Sequence, residues 1–440
     1  MQSHSSDNDS RTPIVDYIIR FLLGDCHSEA HLVGYTSDVA RFGRYRVVIV
    51  PSRFFDEGVY LTSKSLPELP LQSVEGVPLL FGQPSIRTYG DTLVVDADIV
   101  ASSFFLLSRY EELVSADKVD IHGRFSGRDS LPWRAGFLDR PIVDEYGELL
   151  RSWLRTAGIN IPEPPQEFSR VYLTHDVDAL GLYRSARSFA AGVYRSLRCG
   201  GAGLRSVLRS AIDVRNDPAY TFPWLLRENA RVPYAEKIFF FKSEPYPLGG
   251  YDRPYYNIGG RDARRLLGSI VDAGCSVGLH SSYRSFREPH RIADEARRLV
   301  RVVGRDVSKH RSHYLTILPP TDGHYYVEVG IADDFTIGYA QASGFRLGTC
   351  RRVSWIDPKT MQIIPIDIHP LTLMDVSLSN AAYMNLSFEE AYRYASKLMS
   401  EVRRHNGELV LLWHNTSLLA NDNNYHSALY SRIISDLRHL

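Results

Sequence analysis

The stretch "VYLTHDVDAL", residues 171–180, decides how the second half of the chain is read. Val171 to Thr174 is a short β-branched and aromatic run of strand type, and it ends in His175, Asp176 and Asp178. A strand end that offers one imidazole and two carboxylates within four positions either caps a following helix or builds a site. Three further strand ends in the sequence help to choose. After "CSVGL" (275–279) comes His280, followed by Ser281 and Ser282. After a helix closing at Gly304 comes "DVSKHRSHY", with Arg311 and His313. After "ELVLLW" (408–413) come His414 and Asn415. Each histidine alone is more simply a hydrogen-bonded structural group. Capping does not explain the recurrence of such residues at the same end of successive strands. In barrels and open parallel sheets that end carries the active site. Carboxylates with imidazoles suit a divalent first-row metal, zinc among them, and an open coordination position activates water for hydrolysis.

Outward from these strand ends the pattern alternates strand and helix. "EKIFFFKS" (236–243) is an apolar run of strand length, and "GRDARRLLGSIVDAG" (260–274) has helical spacing and a closing glycine. "RIADEARRLVRVVG" (291–304) is a second helix. "SFEEAYRYASKLMSEVRRHNG" (387–407) opens with a Ser387-x-x-Glu390 capping box and stops at Gly407. Alternation of this kind predicts parallel strands with helical crossovers, in a doubly wound sheet or a barrel. Upstream, "NIPEPPQEFSR" (160–170) carries three prolines and reads as a linker. The expected organisation is a disordered tail at 1–13, a smaller mixed α/β domain at 14–160, a linker at 161–170 and a catalytic domain at 171–440.

Bulk properties exclude several classes. Lys plus Arg equals Asp plus Glu at 51 each, so the whole-chain charge gives no reason to bind nucleic acid. Four scattered cysteines form no CxxC pair, which argues against a thiolate zinc site and suits a reducing compartment. The polar opening "MQSHSSDNDSRTP" lacks a signal-peptide core, and no run of eighteen apolar residues exists. A cytoplasmic protein without a transmembrane segment is expected. The arginine-rich stretch 181–216 has one acid, Asp213. It reads as a solvated helical face, with contact to an anionic glycan, a lipid phosphate or a membrane surface as the functional alternative.

In order and strand placement, residues 171–415 resemble the NodB-type polysaccharide deacetylases, carbohydrate esterase family 4. "LTHDVD" resembles the first motif, T-F-D-D-G. "LHSSYRS" resembles H-[ST]-x-x-x-H, "RSHY" resembles R-x-P-Y, and "LLWH" resembles L-x-L-H. The chain also resembles a bacterial group with an uncharacterised N-terminal domain, through "ASSFFLLSRYEE" (101–112) and "RPIVDEY" (140–146). The resemblance implies a deformed (β/α) barrel and a hydrolase that removes an N-acetyl group from a carbohydrate, a cell-surface polysaccharide precursor. It implies Asp176 as catalytic base, His414 as general acid and Arg311 as the group orienting the base. It implies Asp178 and His280 as ligands of a divalent metal, zinc by expectation.

Three departures bear on that reading. D-V-D replaces D-D, so either Asp176 or Asp178 is open as the metal carboxylate. Arg284 stands where the second histidine ligand belongs, and a guanidinium cannot ligate a metal. His313 stands where the third motif has proline, so His313 is expected to supply the missing ligand, with His369 in "IDIHPLTLMD" in reserve. Asp333, Asp334, Asp367 and Asp375 are lesser candidates, and the aromatic loop 243–260 suits stacking on sugar rings or simple pinning of the loop. A same-fold hydrolase of a cyclic amide and an inactive glycan-binding module are the rival readings.

Overall fold

The structure is a computed structural model that describes residues 12–201, 203–247, 249–418 and 424–438. The tail expected to be disordered lies almost wholly outside the described residues.

The N-terminal part holds β1 (Val33–Tyr35), β2 (Val47–Ile49), the hairpin β3 (Gln72–Val74) and β4 (Val77–Leu79), β5 (Gly82–Tyr89) and β6 (Thr92–Ala97). Four of these make a sheet ordered β1-β2-β6-β5, parallel except for β5 against β6. The helices Pro13–Leu23, Ile99–Leu107 and Ile142–Thr156 pack with it.

The C-terminal part holds β7 (Arg170–Val177), β8 (Glu236–Phe241), β9 (Ser276–Ser281), β10 (Lys309–Ser312), β11 (Asp333–Asp334), β12 (Val353–Asp357), β13 (Gln362–Ile368), β14 (Leu373–Met374) and β15 (Glu408–Leu412). They form one nine-stranded sheet, ordered β12-β13-β11-β10-β9-β8-β7-β15-β14. All neighbours are parallel except the edge pair β12–β13. The crossover helices include Arg261–Asp272, Arg291–Val303 and Phe388–Arg404, the last with its Ser387–Glu390 capping box formed. The segment "DVSKHRSHY", counted among the strand ends without strand bounds of its own, contributes β10 to the ladder.

The sheet curls into a distorted barrel. In a flat sheet three spacings of about 4.8 Å would set β10 about 14 Å from β7. Arg311 of β10 nevertheless donates from Nη1 to the Thr174 hydroxyl of β7 at 2.7 Å. Gly278 makes room for that reach, because a Cβ there would meet the Phe240 ring at 2.4 Å. Closure is made by the residues between β13 and β14. His369 N donates to Asp334 O, Leu371 N to Ile337 O and Thr372 N to Val410 O, so this one stretch bridges both ends of the strand order. Among the described residues the sheet is thus a curled half-barrel, consistent with a distorted α/β barrel, with a short connecting seam.

Strand periodicity sorts side chains between lumen and helix layer. Tyr172, Ile238, Phe240, Phe335, Val410 and Leu412 fill the lumen as a separate apolar cluster. Leu173, Phe239, Leu279, Leu409 and Leu411 face the helices. That outer core is continuous with the N-terminal part, joining Ile18, Phe104 and Trp153 to Leu173, Phe239 and Trp413. Burying each such large side chain is worth roughly 1.5–3 kcal/mol, so the two parts stabilise each other. The two N-terminal signatures lie on this junction. Glu112 holds Arg109 and Arg346, each at 2.7 Å. Asp144 accepts from the Thr349 hydroxyl, the Cys350 N–H and Arg351 Nε. Of the stretch 161–170 read as linker, residues 161–169 carry no helix or strand and Arg170 opens β7.

Residues 181–216 leave the end of β7 and form the helices Ala186–Arg198 and Leu204–Ile212. Arg184 pairs with Asp262 and Arg215 with Asp213. Tyr194, Leu197, Leu208 and Ile212 stand exposed beside Arg187, Arg195, Arg198, Arg205 and Arg209, with Ile212 87% accessible.

Candidate metal centre

The lumen-facing residues at the strand ends converge on one point. Asp176 and Asp178, two apart, project from the end of β7 on the same side, and His280 follows on β9. Arg311 stands beside His280 in register, and His313 and His414 come one turn of chain after β10 and β15. Asp178 Oδ1 lies 3.5 Å from His280 Nε2 and 3.4 Å from His313 Nε2. Donor atoms of the three residues all lie within 4.8 Å of one another, a group that could hold a metal ion. Two protein ligands set 2.0–2.2 Å from a common tetrahedral centre would stand about 3.4 Å apart, so the spacings suit a first-row cation.

Hydrogen bonding fixes what each atom presents. His280 Nδ1 lies 2.9 Å from the Arg311 carbonyl, which only accepts, so the ring proton is on Nδ1. His280 Nε2 then faces Asp178 as a lone pair, and both it and Asp178 Oδ1 are buried without a hydrogen-bond partner. Two orphaned acceptors in contact repel unless a cation stands between them. His313 is backed by Asp252, with Nδ1 at 3.4 Å from Oδ1. Asp252 in turn accepts from the N–H of Tyr283 at 2.6 Å and of Arg284 at 3.1 Å. A carboxylate behind a ligating histidine orients the ring and raises its basicity. Burial works against a charge on His313, but Asp178 and Asp252 outweigh it and raise its pKa. Burial likewise opposes the charge on Asp178, and the His280 and His313 rings hold its carboxyl well below the ordinary range.

The other candidates surround this group. Arg311, fully buried and stacked over Phe240, sets Nη1 3.2 Å from Asp176 Oδ1. His414 Nε2 lies 3.7 Å from Asp176 Oδ2, and its Nδ1 is 2.7 Å from Asp375 Oδ1. Burial disfavours its cation, yet the Asp375 carboxylate drives its pKa up to about 10. A cleft of about 280 Å³ opens over Asp176, Asp178, His313 and His414, walled by Tyr314, Tyr383, Arg253 and Arg124. It is at the small end of ligand pockets. A larger cavity of about 610 Å³ lies where the strands begin, at Ser169 and Glu408, and contains none of these residues.

The structure therefore gathers Asp176, Asp178, His280, Arg311, His313 and His414 in one place. His369 lies elsewhere. It stacks on Phe335 and is held between Glu408 at 2.6 Å and Asp333 at 3.2 Å. Glu408 is in register with Arg170, eight residues before Asp178 and so roughly 25 Å along the strand. His175 faces the helix layer, between the Trp413 carbonyl and Asn229. Burial lowers its pKa to about 4. Asp334 holds His310 at 2.7 Å, and Asp367 pairs with Arg352 at the sheet edge. Arg284 points to the surface toward Glu288 and contributes only its backbone. Three members went unread in the sequence: Asp252, Arg124 and the role of Asp375. Asp252 sits in the aromatic loop, whose Tyr256 donates to the Val177 carbonyl and pins the loop. Among the described residues no helix is long and apolar enough to cross a membrane.

Comparison with known proteins adds little. Residues 6–158 match a family described as of unknown function, DUF7033. No curated protein matches the chain. One similar solved structure is a provisionally assigned polysaccharide deacetylase from Mycobacterium smegmatis. It is 14% identical, with a TM-score of 0.40, over 64% of this chain and 87% of that one. The chemistry of the site has to be argued from its own residues.

Proposed function

We propose that the protein is a metal-dependent hydrolase that removes an N-acetyl group from a carbohydrate, as a NodB-type deacetylase does. The observation that carries this reading is the pair of buried, unpartnered atoms, Asp178 Oδ1 and His280 Nε2, converging with His313. Asp178, His280 and His313 would hold the cation, zinc by its fit to one carboxylate and two imidazoles. When bound there, it supplies Lewis acidity toward an acyl carbonyl and a lowered pKa for water.

The chain's own residues supply the rest. Asp176 receives the water proton on Oδ2, while Arg311 holds Oδ1 by a charge-assisted bond and keeps the carboxylate aimed. His414, kept protonated by Asp375, delivers a proton from Nε2 to the departing amine. Asp176 and His414 thus act as base and acid, with 3.7 Å between Asp176 Oδ2 and His414 Nε2. The products are acetate and an amino sugar. Tyr314 and Tyr383 give the cleft aromatic edges suited to a sugar ring, and a substrate unit at the end of a precursor fits its small volume.

Elemental analysis of the purified protein, with acetate release from N-acetylglucosamine oligomers, tests the reading. About one divalent ion per chain is expected, lost or greatly weakened in both His280→Ala and His313→Ala. Stoichiometric metal with no acetate released would move the assignment to another C–N bond, such as a cyclic amide. A metal-free wild type that binds glycans, unaffected by Asp176→Asn, would leave a binding module.

A further inference from the structure

The third histidine of the site sits on strained backbone. Tyr314 and Leu315, directly after His313, both occupy the left-handed region, at φ 58° and 55°. Each non-glycine residue held there costs on the order of 1 kcal/mol or more, so surrounding structure must enforce the turn. The enforcing contact comes from far away in the chain. Arg124 donates from Nη1 to the Tyr314 carbonyl at 2.7 Å. Its Nε and Nη2 grip Asp120 Oδ2 at 2.8 and 2.6 Å, so the guanidinium cannot swing. Asp120 is itself fixed by the His122 and Arg124 N–H groups and by Gln341 Nε2. Val119 and Phe125 bridge across the base of this tip.

The same tip touches three tyrosines around His313. The His122 ring packs on Tyr251, Tyr314 and Tyr283, with centroids 4.6, 5.0 and 6.2 Å away. Tyr283 donates its hydroxyl to the His122 carbonyl at 2.8 Å. Tyr251 precedes Asp252, Tyr283 gives its N–H to Asp252, and Tyr314 follows His313. Residues 120–124 therefore brace three residues next to the His313–Asp252 pair: Tyr251, Tyr283 and Tyr314.

We infer that residues 120–124 of the N-terminal part are a positioning element of the metal centre, acting through Arg124 on the Tyr314 carbonyl to aim His313. The inference rests on the metal reading above and gives the N-terminal part a task within it. Where Arg284 replaces a helical ligand, the substitute ligand stands on a turn that this chain braces from outside the barrel.

The test is Zn²⁺ affinity of the full chain, read by competition with a chromophoric chelator, with circular dichroism confirming the fold. Arg124→Met is expected to bind Zn²⁺ about 10- to 100-fold more weakly, the usual cost of losing an outer partner of a ligand. Arg124→Lys should recover part of the loss. Arg128→Met removes a hydrogen bond from the same loop to the Ala382 carbonyl, a contact made to none of Tyr251, Tyr283 and Tyr314, and should bind as the wild type does. Should Arg124→Met not fold, Tyr283→Phe, which frees the His122 carbonyl, is expected to weaken binding in the same assay. Arg124→Met within about twofold of wild type would overturn the inference, as would an equal loss in Arg128→Met. A wild type that binds no Zn²⁺ would instead remove the metal reading on which it rests.

Discussion

Asp176 and Asp178 flank Val177, which is fully buried on the helix side of the sheet. With a side-chain period of two, D-V-D puts both carboxylates into the lumen, whereas adjacent aspartates on a regular strand would point to opposite faces. The two then divide by partner. Asp176 has Arg311 and His414, and Asp178 has His313 and the nearer approach of His280, whose Nε2 lies 3.5 Å from Asp178 and 3.7 Å from Asp176. The expected outcome is a separation of roles in variants. Asp178→Asn should lose bound metal, while Asp176→Asn should keep it and lose about 10²- to 10⁴-fold in turnover, the span of general-base catalysis. Metal content and acetate release on the same preparations check this. Asp176, Asp178, His280 and His414 were legible because each follows a recognisable apolar strand run, and Arg311 and His313 through the motif resemblance of "RSHY". Asp252 and Arg124 were not, nor was the role of Asp375, since these reach His313, Tyr314 and His414 from 61, 190 and 39 positions away along the chain. Their residue types occur throughout the sequence, and only closure of the fold singles them out.

The elements that periodicity announces strongly were readable: the helices at 261–272, 291–303 and 388–404 and the apolar strands at 236–241 and 408–412. The four-residue β10 and two-residue β11 were not, because pairs and quartets have no measurable period and exist only as ladder partners. The helical pair after β7 poses a different question. It rises from the same rim as the candidate site and exposes Tyr194, Leu197, Leu208 and Ile212 among arginines that pair with no acid among the described residues. Such a face fits an anionic bilayer, with each arginine near the surface adding about 1 kcal/mol and the apolar side chains inserting. The full chain is expected to sediment with vesicles containing phosphatidylglycerol but not with pure phosphatidylcholine. Leu197→Ser with Ile212→Ser should abolish that binding. Undiminished sedimentation of the double variant would reduce the face to a charged surface.

At the scale of the molecule, one apolar core spans both sheets, so the proline-rich stretch joins parts that are not independent. His405 marks the junction. It is buried between Glu148 of the N-terminal helix Ile142–Thr156 and Glu401 of the barrel helix Phe388–Arg404, at 3.1 and 3.6 Å. Burial opposes its charge, but the two carboxylates raise its pKa to about 9. The folded state therefore holds this proton more tightly than the unfolded chain, whose imidazole titrates near 6.5. The stabilisation, on the order of 2 kcal/mol, is fully present below about pH 6.5 and disappears as the pH rises through about 9. Thermal melts across that window should show a falling midpoint that flattens in His405→Gln. Strand–helix alternation left a doubly wound sheet and a barrel open, the resemblance implied the barrel, and neither told how the curled sheet is fastened. The four residues from His369 to Thr372 carry the chain from one margin of the curved sheet to the other. They work as the buckle of a belt: three backbone hydrogen bonds within four residues fasten the curved sheet, so a residue inserted there would loosen the fastening without altering Asp176, Asp178, His280, Arg311, His313 or His414 themselves.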